Sequence, residues 1–440
     1  MEAADVPPPV VLSGAQNERY PEAVRKRFKF LRWEAFALTW LIYVAFYLVR
    51  KNFDGSKPGM LVDGYSKDQV AVIDSAFLTC YAVGQFLAGA LGDWLGTRRV
   101  VIGGLAVSVA ANIAFGFLHP VPLLVGALAV NGLAQACGFP LCCKLIASWF
   151  SASTRGRASS WFLTSYTLGD IAAKWMTGQL VGSIGWRYAF FVPAGIFSGI
   201  AALLILRLRE SPQSVGLPNV AAMSGEAETV SAGKRAFGRE ALELLRLPGM
   251  WTVSSTYFLL KLVRYTLLGW SNVFLFQKLG YTAGDSTLAT VPLAAGGLGG
   301  TLAIGYISDK LFQARRAPPV ILAMLALAIL TIFYAHLGPD QRNTVIVMHV
   351  LIGFFAYGSD TVLSATCAMD LGNSRAAGSA AGIINGFGSI GAVLSTVVAS
   401  RVSEKFGWSS VWYLLAGLLL LACALFATRW NSSASSERDK

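Results

Sequence analysis

The chain has 440 residues, of which 55% are hydrophobic and only 14% charged, where a soluble domain carries roughly 25% charged residues. That composition excludes a soluble enzyme, and the mean hydropathy of +0.55 with 45 glycines fits helices packed closely in lipid. The net charge of +12 is spread between apolar runs without forming one patch, which argues against a nucleic-acid surface and for a membrane-topology bias. All six cysteines (Cys80, Cys137, Cys142, Cys143, Cys367, Cys423) fall inside apolar runs without a CxxC pair, so neither disulfides nor zinc is expected.

The first residues, MEAADVPPPV, lead into a basic stretch (Arg25, Lys26, Arg27, Lys29) with no apolar h-region, so no cleaved signal is expected and the first span serves as its own targeting signal. From there, apolar runs and their breakers predict an all-α membrane protein of twelve transmembrane helices, near 32–58, 70–92, 100–118, 121–148, 158–182, 188–206, 250–276, 285–308, 319–337, 342–368, 376–400 and 409–428. The polar segment 208–247 separates two six-helix halves, so the predicted organisation is a tail at 1–31, bundles at 32–207 and 248–429, the linker between them and a tail at 430–440. Twenty-three of the 36 Lys and Arg fall on the side shared by the N-terminus and eight on the opposite side, which predicts cytoplasmic termini in a cell inner membrane.

The halves repeat each other in parallel orientation. GALGDWLGTRR answers to GYISDKLFQARR, STRGRASS to NSRAAGSAAG, and IGWRYAFFVPAG to FGWSSVWYLLAG, all in register. Parallel six-helix repeats put a substrate site between the halves. The first pair of motifs predicts a conformational latch, in which Asp93 pairs with Arg98 or Arg99 in one state only, with Asp309 and Lys310 as its second copy.

Lys261 and Arg264 lie deep in the seventh apolar run, where a cation is costly and by default functional. The repeat places Arg50 at the equivalent depth of the first run, although hydropathy alone would leave it at the edge. Two guanidiniums facing each other across the halves match a doubly charged tetrahedral oxyanion, because each presents a fork of donors. Tyr43 and Tyr47 precede Arg50 by seven and three residues and share its helical face, and Tyr81 of the second helix faces the same cavity. Asp170 and Lys174, four apart on the fifth helix, read as a mutually neutralising pair.

Together YLVRKNF, LLKLVRYTLLGWS, the GxxxDxxGxRR loop, NGLAQACGFPLCCKLIASWF and DLGNSRAAGSAAGIINGFGSIGA resemble the organophosphate:phosphate antiporter family of the major facilitator superfamily, from about residue 30 to 428. The resemblance implies that Arg50 and Arg264 bind phosphate with Tyr43, Tyr47 and Tyr81 beside them. It also shows departures: Gln85 stands where bacterial glycerol-3-phosphate transporters have a lysine, and Tyr166 where they have a histidine. Asp360, in the tenth helix, either binds an amino or hydroxyl group of the substrate or pairs with Lys261.

The expected function is secondary transport, exchanging a sugar phosphate or glycerol-3-phosphate for inorganic phosphate by alternating access, in a monomer without cofactor or metal. A membrane sensor of external sugar phosphate and a proton-coupled symporter of a phosphonate or other organic anion are the rival readings. No Ser/His/Asp cluster or nucleotide loop supports an enzyme, since His119, His336 and His349 are scattered.

Overall fold

The computed structural model describes residues 20–224, 242–313 and 315–431, so parts of the expected tails and linker lie outside the described residues. Span one is Glu22–Leu48 continued by Asn52–Val62, span two Lys67–Leu95, span three Thr97–Phe117, span four Val121–Ala136 continued by Gly138–Trp149, span five Ala152–Ser183 and span six Tyr188–Arg207. After a short helix, Val220–Ser224, span seven is Pro248–Lys278, span eight Ala283–Leu288 continued by Val291–Lys310, span nine Ala317–Tyr334 and span ten Arg342–Thr361. Span ten runs through a π turn, Val362–Thr366, into span eleven, Cys367–Phe406, and span twelve is Trp408–Ala427. Among the described residues nine stretches are long and apolar enough to cross a membrane. Spans two, five and seven, of 29, 32 and 31 residues, are long enough but carry the internal polar groups that build the centre of the molecule.

The single helix expected at 32–58 is a correction: span one breaks at Val49–Lys51, where Arg50 sits. A break inside a membrane frees carbonyls, and each must find a donor in the protein. The buried amides of Asn112 and Asn131 donate to Val49 O at 3.2 and 3.1 Å, and Gln135 donates to Phe46 O at 3.1 Å. Asn52 in turn donates to Asn112 Oδ1 at 2.8 Å. Spans three and four therefore carry a belt of buried side-chain amides whose purpose is to receive the unwound turn.

Span two opens on a capping box, with Gln69 N donating to Ser66 Oγ at 3.1 Å and Ser66 N donating to Gln69 Oε1 at 2.9 Å. Its other end turns at Gly96, whose φ of +88° suits glycine, and Gly407 turns the chain from span eleven into span twelve at +81°. The repeat appears in the packing as well. Span two lies against span four so closely that a Cβ on Gly132 would stand 2.5 Å from Phe77 O. Span eight lies against span ten in the same way, where a Cβ on Gly296 or Gly300 would overlap the carbonyls of Val350 or Phe354.

Twelve alternating spans put both ends of the chain on one side, here the terminal face. The halves are sealed together on the opposite, far face. Lys67 donates to Ser403 Oγ at 3.0 Å, Ser400 donates to Asp68, and Arg401 pairs with Asp68 at 3.1 Å. At mid-depth Tyr357 donates to Asp170 of the other half at 3.4 Å. The molecule is thus closed on the far face.

Replacing Gly300 by Val should force spans eight and ten apart. Overpacking of a tight contact costs about 1–3 kcal/mol, so the detergent-solubilised protein should melt several degrees lower, whereas Gly305→Val, where a Cβ meets open space, should leave the melting temperature unchanged.

Candidate functional site

The halves enclose a cavity lined by Tyr47, Arg50, Tyr81, Arg264, Tyr265 and Tyr357, with Lys51, Asp54 and Asp74 on its far-face side. Arg50 has no ion-pair partner among the described residues and is wrapped in aromatic faces instead. Its guanidinium carbon lies 4.0 Å from the Tyr81 ring centroid, 5.4 Å from Tyr47 and 5.9 Å from Phe77. Gln85 donates to the Tyr81 hydroxyl at 3.0 Å, one turn along span two, and so orients a ring that covers Arg50.

Arg264 faces the cavity from span seven under a different restraint. It donates through Nη1 to Asp360 Oδ1 at 2.7 Å and stacks on Tyr357 at 4.1 Å, while its Nε has no acceptor among the described residues. One sequence expectation is corrected here: Asp360 pairs with Arg264 and not with Lys261. Lys261 is buried against the rings of Tyr257 at 5.2 Å and Tyr265 at 5.9 Å, under Gly388, and does not line the cavity.

Tyr47 lines the cavity as expected, whereas Tyr43 and Tyr166 stand behind it. Tyr43 is buried among Tyr47, Phe139 and Phe162, and the Tyr166 ring lies 6.1 Å from Tyr47. They fix the Tyr47 ring and do not line the cavity. The expected pair of Asp170 and Lys174 forms at 3.0 Å with both side chains buried, and Tyr357 donates to Asp170 at 3.4 Å from the other half.

The sequence reading missed the charge network beneath the site. Lys57, one of the eight Lys and Arg counted on the side opposite the N-terminus, is completely buried. It donates to Asp74 at 2.6 Å, to Asp54 at 3.0 Å and to the Gly269 carbonyl of the other half at 2.9 Å. Lys51 holds the second oxygen of Asp54 at 2.8 Å, and Asn272 donates to the Asp54 carbonyl at 2.6 Å. The signal was present: Asp54 and Lys57 stand three apart in KNFDGSKPG, and Asp74 interrupts AVIDSAF.

The first latch motif takes a partner from span four, and the second pairs within itself. Asp93 pairs with Lys144 of span four at 2.6 Å, and Arg98 donates to the Ile205 carbonyl. Arg99 is exposed. The N-terminal amide of span three is taken by Glu210, to which Thr97 N donates at 2.8 Å. In the second copy Arg316 bridges Asp309 and Asp370, the latter at 2.8 Å, and Lys310 is exposed.

Replacing Lys57 by Met leaves Asp74 without its ion pair in a closed site, and breaking a buried pair by removing one partner costs about 3–5 kcal/mol. Thermal unfolding of the purified protein should show a large loss for Lys57→Met and substantial recovery in Lys57→Met/Asp74→Asn, since Lys51 still holds Asp54. Equal stability of the two variants would show that Lys57 is not the centre of this network.

The model of the Major Facilitator Superfamily matches residues 39–396. The "Probable hexose phosphate transport protein" of Chlamydia trachomatis is 30% identical over 95% of both chains. The "Glycerol-3-phosphate transporter" of Bacillus subtilis is 30% identical over 93% of this chain and 95% of its own. The "Membrane sensor protein UhpC" of Salmonella typhimurium is 27% identical over 94% and 95%. Among solved structures, a bacterial homologue of the human lysosomal transporter Spinster, inward-facing and unoccupied, superposes with a TM-score of 0.72 over 93% of this chain and 97% of that one, at 16% identity. That last likeness speaks to the fold alone.

Proposed function

Because the chain belongs to the major facilitator superfamily, and within it to the organophosphate:phosphate antiporter family, a family of membrane transporters and not of enzymes, we propose that it exchanges a phosphate ester for inorganic phosphate. The supporting observation is the charge at the centre. Arg50, Lys51, Lys57 and Arg264 stand against Asp54, Asp74 and Asp360, which leaves one positive charge at the site, and Lys261, buried beside the cavity against Tyr257 and Tyr265, adds a second at the centre of the molecule. A phosphate dianion cancels both, and the forks of Arg50 and Arg264 suit its tetrahedral oxygens.

The mechanism follows from the difference between the arginines. Arg50 offers its donors at once, with Tyr47 and Tyr81 beside it. Arg264 offers its remaining donors only as it shares or releases Asp360, so the anion competes with a carboxylate for the second half. An anion held by both arginines draws the halves together on the terminal face, and the far-face seal then has to part. Empty, the same closure seals unneutralised positive charge away from water, which is costly. Reorientation is therefore fast only with an oxyanion bound, and exchange is obligatory.

Within this proposal the basic bias puts the terminal face in the cytoplasm of an inner membrane, so the cavity is open inward. A sugar phosphate or glycerol-3-phosphate is the organic partner by analogy with what the relatives' names state. One chain lines the cavity completely, so a monomer suffices. The Asp93–Lys144 and Asp309–Arg316–Asp370 pairs tie span ends within each half, the role proposed for the latch.

Proteoliposomes loaded with phosphate should take up labelled glycerol-3-phosphate or hexose 6-phosphate, with or without an uncoupler, and Arg50→Lys or Arg264→Lys should lower uptake by more than about tenfold, the worth of one good hydrogen bond. Uptake into phosphate-free vesicles driven by pH alone would replace exchange with symport and make Asp360 the proton carrier. Ester binding without uptake would assign the chain to sensing, the activity named for the Salmonella relative.

A further inference from the structure

A second concave, strongly basic place lies on the terminal face, away from the central cavity. Its walls are the first turns of span one, the start of span five and the short linker helix Val220–Ser224. Arg25, Lys29 and Arg32 stand at i, i+4 and i+7 and so share one helical face, with Lys26 beside them. The single carboxylate in the lining, Glu22, is already committed to Lys26 at 2.7 Å. Among the described residues, Arg25, Lys29 and Arg32 have no ion pair and the buried Nε atoms of both arginines have no acceptor.

The opposite wall supplies hydroxyls. Ser151 precedes span five in an extended conformation, and its hydroxyl meets those of Ser153 at 3.1 Å and Thr154 at 2.9 Å without capping a backbone amide of the helix. The positive end of the span-five dipole adds to the same field. A topology residue has only to be basic and hydrated. Arg32 instead is wedged against Phe28 at 5.6 Å and Phe150 at 5.5 Å, which fixes its fork, and Phe28 is itself fixed by Leu217 and Met223 of the linker. On the same helix Phe30 and Trp33 are exposed, which sets this level at the membrane interface.

We propose that this pocket is a second anion site that takes a phosphate group through Arg25, Lys29 and Arg32, and that it couples the linker to the start of span one. The phosphate comes either from an anionic lipid headgroup or from a soluble phosphate, and the test separates these. The full-length protein is placed in phosphatidylcholine nanodiscs with the central site disabled by Arg50→Ala/Arg264→Ala, and binding of labelled inorganic phosphate is measured with and without Arg25→Gln/Lys29→Gln/Arg32→Gln. In parallel, phosphatidylglycerol retained by the otherwise unaltered protein is counted by native mass spectrometry, again with and without the triple substitution. A loss of about tenfold in the first arm assigns the pocket to soluble phosphate, and the same loss in the second assigns it to lipid. No loss in either arm overturns the proposal. Should the triple variant fail to fold, Arg25→Lys/Arg32→Lys keeps the charge and removes the forks; a fall of at least about threefold is then expected in one arm, and unchanged binding in both overturns the site.

Discussion

A guanidinium without a carboxylate partner, held inside a helix bundle in lipid, has to be stabilised by something other than water, and the middle of this molecule is arranged around that need at Arg50. Burying the cation in an unbroken helix would leave it facing its own apolar neighbours. Instead span one unwinds for three residues, and the carbonyls freed by the break are received by the buried amides of Asn112, Asn131 and Gln135. The aromatic faces of Tyr81, Tyr47 and Phe77 supply the remaining stabilisation without neutralising the charge. An acid in their place would be a permanent counter-ion, and the site would have no vacancy for an anion.

The repeat makes the contrast with Arg264 informative, because duplicated halves began with equivalent spans and now differ. Span seven stays helical through Arg264, and the charge is met by Asp360 from span ten, beside the π turn at Val362–Thr366. Asp360 takes one Nη and leaves Nε without a partner, so the pair is strong enough to place the guanidinium and incomplete enough to yield. One half holds an open cation and the other a guarded one.

Much of this was legible from the residues. The twelve segments and the duplication followed from runs of apolar residues and repeated loop motifs, because lipid imposes length and composition on every span. Arg264 was visible because a cation inside an apolar run has few explanations, and Arg50 because the repeat pointed to it. Lys57 was not, since it lies seven residues past Arg50 in a stretch with Asp54, Gly55 and Pro58 that hydropathy reads as a flank. Whether such a segment ends the span or continues it depends on whether Asp74 and Gly269 arrive to satisfy it, and those come from two other helices. Lys261 failed for the complementary reason. Spacing put it on the Arg264 side of the helix, but Gly388 of span eleven lets its stem lie down beside Tyr257, out of the cavity. Spacing gives the face of a helix; which neighbour covers that face is a tertiary fact.

The same distinction explains how the closed far face relates to the cavity. Lys57 is bonded at once to Asp54 and Asp74 of its own half and to the Gly269 carbonyl of the other, and Asn272 reaches back to the Asp54 carbonyl. Asp54 also holds Lys51, the immediate neighbour of Arg50 and a lining residue of the cavity. An anion bound at Arg50, as proposed, would lie one residue from a lysine whose carboxylate partner also holds Lys57. A pull on Lys51 would then loosen the hold on Asp54 and shift the balance at Lys57, so the proposed site would reach the far face through two adjacent residues of one turn. No long-range relay is needed, because the break that exposes Arg50 also sets Lys51 at the start of the next helix, where the binding site and the seal share a wall.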